Sequence, residues 1–376
     1  MIFRGNEKLG SSTQLSLKME EMGGELNAVT SFDLTEFWLD FHIRYLEKGI
    51  QRFCEFLHYP LFERVEIERG IIIEEILADY NNDNQLIDLD SITAKGVWPD
   101  HPMGMPVIGN RNTIESITVA DLKRWYQEYY QPGNMIIGIT GDFDIDNTIA
   151  KLENQFSKTP LTRRKSYNAV SNNDSCVNQI QLTYDKDNQF GIEWAFPAYP
   201  LTADLRIQYQ ILRRILDDGS SSRLQKFIRE DKGLVYDISA ESLFFESGVL
   251  FSIHCYVGLN KLHELVNVLS NLLKDIIDNG ITQDELDLAK LRFQLSLDCN
   301  HDNTHGILYE TISPLIYPNL CSFKEISDKM EKVTTTSLNQ TFKGLFQHKN
   351  SCFSLVGPWT EENKKRLEQQ LSDWIT

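Results

Sequence analysis

The feature that most constrains the fold is an internal repeat. Residues 118–143, TVADLKRWYQEYYQPGNMIIGITGDF, align without a gap on residues 334–359, TTTSLNQTFKGLFQHKNSCFSLVGPW, 216 positions further on. Thr118 meets Thr334, Leu122 meets Leu338, Tyr126 meets Phe342, Tyr130 meets Phe346, Asn134 meets Asn350 and Gly141 meets Gly357. Each copy reads as an amphipathic helix, a turn at Asn, and a buried strand that stops at Gly. A chance match of helix-turn-strand patterning is the alternative. Duplication of one α+β domain accounts for it together with the length, since 376 residues suit two domains that each bury their own core.

Periodicity fills in the rest. Helical spacing is expected at 11–22, 44–58, 63–81 and 118–130, with alternating strand-like segments at 25–42 and 135–142. The 63–81 helix runs through Ile67, Ile71, Ile72, Ile76 and Leu77, a stripe expected to face a core. Residues 156–176, rich in Ser, Asn, Lys and Arg, read as a linker between domains at 1–155 and 177–376. Beyond it come strands at Gln179–Tyr184 and Gly191–Phe196, a helix at 203–216, alternation at 235–257, and helices at 260–278 and 282–300.

Charge narrows the partners. Acidic residues outnumber basic ones by 54 to 37, a formal charge of −17, so neither a nucleic-acid backbone nor an anionic membrane surface is expected, and cationic peptides are better tolerated. The six cysteines form no C-x-x-C pair and read as scattered core thiols. No apolar run is long enough to span a membrane, and no basic-then-apolar leader opens the sequence. The sequence as it stands reads as cytosolic, with the compartment left open.

Three stretches can carry chemistry. Glu68 and Glu75 fall within about 20° of one another on a helix, giving one face a pair of carboxylates. Such a stripe can offer a metal ligand and a group that orients it, and a solvated acidic face explains the spacing as well. At Met22-Gly23-Gly24-Glu25-Leu26-Asn27-Ala28 a helix gives way to a strand whose edge, near Asn27 and Ala28, could accept an extended peptide; capping alone also explains the glycines. Asp217-Asp218-Gly219 reads as a flexible helix cap. After it, Arg229 and Tyr236 flank a Gly turn and could offer a guanidinium and a phenol to a carbonyl oxygen, against the alternative of a charged surface turn. Two decoys are set aside: Asn303 and Gly306 argue against a firm helix under His301 and His305, and His101 sits in a turn.

Taken in order, these segments resemble the pitrilysin/insulinase family of zinc metallopeptidases, whose subunits pair two homologous α+β domains and bear an inverted zinc motif, H-x-x-E-H. The likeness rests on Met1-Ile2-Phe3-Arg4-Gly5-Asn6, the Gly-Gly strand, HPMGMPVIG at His101–Gly109, YYQPGNM at Tyr129–Met135 and GLVY at Gly233–Tyr236. The resemblance implies two domains, each a mostly antiparallel sheet packed with helices. It implies that Glu75 is the distal zinc ligand, Glu68 a supporting glutamate, and Arg229 with Tyr236 the pair that binds substrate and transition state.

The departure is large, because no H-x-x-E-H or H-E-x-x-H occurs anywhere in the sequence. On this resemblance the sequence opens just behind the motif, and the first sheet lacks its opening strands and should show an exposed edge. Zinc is expected for the complete family site and not for this chain alone, since Glu75 supplies one protein ligand where hydrolysis needs three. Three readings stand open: an active-type protease whose start was set behind the motif; a non-catalytic subunit that lends Arg229 and Tyr236 to a zinc-bearing mate; and an unrelated α+β binding protein. Coding DNA upstream of Met1 separates the first two.

Overall fold

The computed structural model describes residues 1–157, 170–175, 179–317, 320–347 and 351–375. It divides into two compact units, Met1–Ala78 with Val107–Tyr167, and Asp79–Pro106 with Asn168–Thr376. Most of the expected linker, 158–169 and 176, lies outside the described residues.

In chain order the strands are β1 (Gly5–Asn6), β2 (Gly10–Ser11), β3 (Glu25–Thr30), β4 (Thr35–Asp40), β5 (Gln179–Tyr184), β6 (Gln189–Ala198), β7 (Val235–Phe244), β8 (Val249–Gly258) and β9 (Cys352–Gly357). The helices that matter are α1 (Ser12–Glu20), α2 (Leu46–His58), α3 (Val65–Ala78), α4 (Leu89–Val97), α5 (Arg111–Ser116), α6 (Val119–Tyr129), α7 (Ile145–Phe156), α8 (Ala203–Leu216), α9 (Leu262–Asn279), α10 (Gln283–Asn300), α11 (Thr304–Ile316), α12 (Phe323–Lys332), α13 (Thr335–Gln347) and α14 (Glu361–Gln370).

The duplication is visible in this order. Leu46 and Leu262, Val119 and Thr335, and Ile145 and Glu361 each open a helix, and the members of each pair stand 216 residues apart. The hairpins β3–β4 and β7–β8 correspond as well, each closing over a four-residue connection, from Thr30 paired with Thr35 and from Phe244 paired with Val249.

In the first unit, β3 and β4 are antiparallel and form a two-stranded sheet. Its core is an aromatic cluster around Phe56, fully buried, with Phe3 and Phe37 rings 5.2 and 5.8 Å away. Asn6, also fully buried, ties β1 to the end of α2: its Nδ2 donates to the Glu55 and Phe56 carbonyls, and its Oδ1 accepts from the Lys8 and Leu9 amides. All of its hydrogen-bonding capacity is therefore used, which is what a buried amide requires.

Two expectations fail here. Residues 135–142 form no strand. The matching segment β9 is held between β5 and β6, and at the repeat offset neither of these has a counterpart in the sequence, so residues 135–140 have no ladder to join. The apolar stripe of α3 does not face a core either: Ile76 is buried, but Ile67, Ile71 and Leu77 are 52, 47 and 42% exposed. The helix is fastened instead by Arg69, whose guanidinium donates to the carbonyls of Ile114 and Ile117 at the end of α5.

The second unit is built on one five-stranded sheet, ordered β5-β9-β6-β8-β7, antiparallel except for the β5–β9 pair. Phe190, Ile192, Trp194 and Phe196 of β6 point into a large apolar core with α8, α9 and α13. The alternate residues Gly191, Glu193 and Ala195 face α4, which lies on the other side of the sheet and is pinned by Thr93 Oγ1 donating to Ser354 Oγ at 2.8 Å. Gly191 is needed there, since a Cβ would stand 2.8 Å from Leu89. This packing is why residues 79–106 belong with the second unit.

Candidate peptide-binding site

In the first unit, Glu68 and Glu75 both lie on α3. Glu68 is half-buried and accepts a hydrogen bond from Arg4 Nε, so its charge is matched by a residue of the opening stretch. Glu75 is exposed and makes no hydrogen bond or ion pair among the described residues. Asn27 is exposed on β3 opposite Trp38, and its Oδ1 accepts from the Ala28 amide at 2.9 Å. No strand pairs with the far edge of β3 among the described residues.

In the second unit, Arg229 and Tyr236 come together. Residues 225–230 (Gln225–Glu230) form a π-helix, closed by the Asp231 amide donating to the Lys226 carbonyl five residues back. Gly233, at φ +58°, ends it with amide contacts from Gly233 to Arg229 and from Leu234 to Ile228. The chain then enters β7 through a bulge: Val235 pairs with Val257 and Ile238 with Cys255, so Tyr236 and Asp237 together oppose Tyr256. Tyr236 is thereby thrown outward, 87% exposed, and the Arg229 guanidinium stands 6.0 Å from the centre of its ring.

The supports of this segment carried little signal in the sequence. Arg223, nine-tenths buried, grips both oxygens of Glu285 at 2.6 and 2.9 Å and the Gly280 carbonyl at 3.0 Å. The expected flexible cap at Asp217-Asp218 is instead a fixed element: Asp218 is held by Arg292, and Asp217 accepts from Gln225 and from the Ala240 amide. Of the two decoys, His101 caps a single turn by accepting from the Met103 amide. His301 ends α10 and pairs with Glu310, while His305 lies in the first turn of the next helix, capped by Asn303.

Among the described residues no three His, Cys, Asp or Glu side chains are grouped as a metal site would require. The donors among the described residues do not by themselves make up a zinc centre. No helix among the described residues is long and apolar enough to cross a membrane.

Comparison with known proteins places this architecture. Residues 1–110 match the family described as Insulinase (Peptidase family M16), and residues 116–293 match the domain described as Peptidase M16 inactive domain. The chain is 24% identical over 385 aligned positions to an uncharacterized zinc protease of Streptomyces coelicolor, covering 99% of this chain and 82% of that one. It is equally 24% identical to a protein of Helicobacter pylori described as a non-peptidase homolog, over 96% of this chain and 82% of that one. A crystal structure of a protease from Helicobacter pylori superposes with a TM-score of 0.84 at 18% identity, covering 95 and 87% of the two chains. The fold is the two-domain α+β fold shared with family M16 structures. The chain belongs to the pitrilysin/insulinase family, peptidase family M16, and this removes the reading of an unrelated binding protein.

Proposed function

We propose that this chain binds unfolded peptides in extended form as the substrate-holding part of a family M16 peptidase, and that the zinc, its two histidines and the general-base glutamate come from outside the 376 residues, on a second family subunit. The observation that carries this reading is the Arg229–Tyr236 pair. A guanidinium and a phenol stand together on the surface, and both are donors suited to a peptide carbonyl oxygen. Backbone pairing along the far edge of β3, beside Asn27 and Ala28, supplies sequence-independent affinity. The match to a domain described as inactive and the likeness to a protein described as a non-peptidase homolog support a non-catalytic role.

The test is fluorescence anisotropy of a fluorescein-labelled unstructured peptide with the full chain, with and without EDTA, followed by mass spectrometry of the peptide. Saturable, chelator-insensitive binding without cleavage is expected. No binding, or cleavage abolished by EDTA, contradicts the reading.

One observation favours a second reading, an active-type enzyme. Glu75 stands exposed and unengaged on the same helix as Glu68, while Arg4 fixes Glu68. A chain carrying an in-frame H-x-x-E-H segment ahead of Met1 would then use Glu75 as third ligand. In that longer protein, zinc binding that Glu75→Gln abolishes is the expected result, and zinc binding indifferent to Glu75 contradicts it.

A further inference from the structure

β7 is the edge of the five-stranded sheet, so its outward N–H and C=O groups have no neighbouring strand among the described residues. At one place they are nevertheless satisfied. Gln225 Nε2 donates to the Ile238 carbonyl at 2.7 Å and to Asp217 Oδ1 at 3.0 Å, and Asp217 Oδ2 accepts from the Ala240 amide at 3.0 Å. Two side chains thus pair with one carbonyl and one amide of the edge as an added strand would, and Gln225 is itself 7% exposed. The contact falls immediately after the bulge that turns Tyr236 outward, and Gln225 is the first residue of the π-helix that carries Arg229. One amide side chain therefore fastens the element bearing Arg229 to the strand bearing Tyr236.

We propose that Asp217 and Gln225 are a positioning pair: by capping the β7 edge at Ile238 and Ala240 they fix the bulge and so set the separation of Arg229 from Tyr236. The inference rests on the reading that Arg229 and Tyr236 hold peptide, but its geometry can be tested without any peptide. A π-helix has poorer hydrogen-bond geometry than an α-helix and persists where its surroundings hold it. Here the surroundings are a carboxylate and two backbone groups, all reached by Gln225 or its partner. Without Gln225 the Ile238 carbonyl and one Asp217 oxygen lose their donor in a buried place, and the segment is free to relax to a regular helix with Arg229 displaced. A purely structural clamp would lower stability and leave the pair where it is; a positioning clamp moves the pair.

The experiment uses the full chain labelled with 3-fluorotyrosine, the Tyr236 resonance being assigned by its loss in Tyr236→Phe. In the otherwise unaltered protein, Arg229→Gln removes the cation beside the ring and shifts that resonance. In Gln225→Met, which keeps the side-chain length, and separately in Asp217→Ala, the Tyr236 resonance is expected to move and to stop responding to Arg229→Gln. Binding of the fluorescein-labelled peptide should weaken about fivefold or more in Gln225→Met, with no further loss in a Tyr236→Ala background. An unmoved resonance that still responds to Arg229→Gln in both variants overturns the proposal, as does a full additional loss of binding in the Tyr236→Ala background. If the unaltered chain binds no peptide, the functional reading fails while the fluorine result still decides the positioning.

Discussion

The guanidinium of Arg229 lies 6.0 Å from the ring centre of Tyr236, across a bulge that leaves the ring 87% exposed. So little of Tyr236 is buried that stability cannot depend on it. Tyr236→Phe and Arg229→Ala should each change the unfolding free energy by less than about 0.5 kcal/mol. Each should nevertheless weaken peptide binding about 5- to 10-fold through loss of a donor, measured by anisotropy alongside urea unfolding.

Asn27 makes a prediction of opposite sign. Its Oδ1 occupies the Ala28 amide, which an added peptide strand would need. If peptide pairs at the β3 edge, Asn27→Ala frees that amide and tightens binding about 2- to 10-fold, the worth of one net hydrogen bond. Weaker binding in the same titration would show that the Asn27 side chain itself touches peptide.

Buried Asn6 joins β1 to the last turn of α2 through two hydrogen bonds, and its Oδ1 accepts two more from the Lys8 and Leu9 amides. Asn6→Ala takes a partner from two amides and from the Phe56 carbonyl, while the Glu55 carbonyl keeps the Tyr59 amide, and should destabilise the first unit by about 3 kcal/mol. Hydrogen exchange at Lys8 and Leu9 would report this locally.

Glu193 gives the second unit a pH dependence. It is 5% exposed beneath α4, and burial raises its carboxyl to about 7; the Thr93 hydroxyl draws it back, the Asp90 carboxylate pushes it up, and Ser252 and Glu241 act in the same opposed senses more weakly. The folded chain therefore holds this proton more tightly than the unfolded one, whose value lies near 4.5. The stability it contributes is complete below the unfolded value and is lost as pH rises through about 7. The full change is about 3 kcal/mol. Urea midpoints of Glu193→Gln should be flatter than those of the parent between about pH 5 and pH 8.

Much of this fold was legible in the sequence because its signals are local. The expected bounds of β5 at 179–184 and α8 at 203–216 coincide with the structure, since alternation and a helical stripe each fix an element by itself. Residues 135–142 show the limit: they carry the same pattern as β9, but a strand exists only where neighbours bond to it. In α3 the periodicity identified an apolar face, and nothing in a sequence says what covers such a face. Arg229 and Tyr236 were visible as a spaced pair. The roles of Asp217 and Gln225 were not, because their partners are backbone groups of a strand 13 to 23 residues away, which leave no trace in residue type.

The central claim is that these 376 residues hold peptide without a zinc site of their own. Equilibrium dialysis of the full chain against zinc, with metal content determined by atomic emission, tests it most directly. Metal content far below one zinc per chain, unchanged in Glu75→Gln, is the predicted result; one tightly held zinc per chain that Glu75→Gln removes would contradict it.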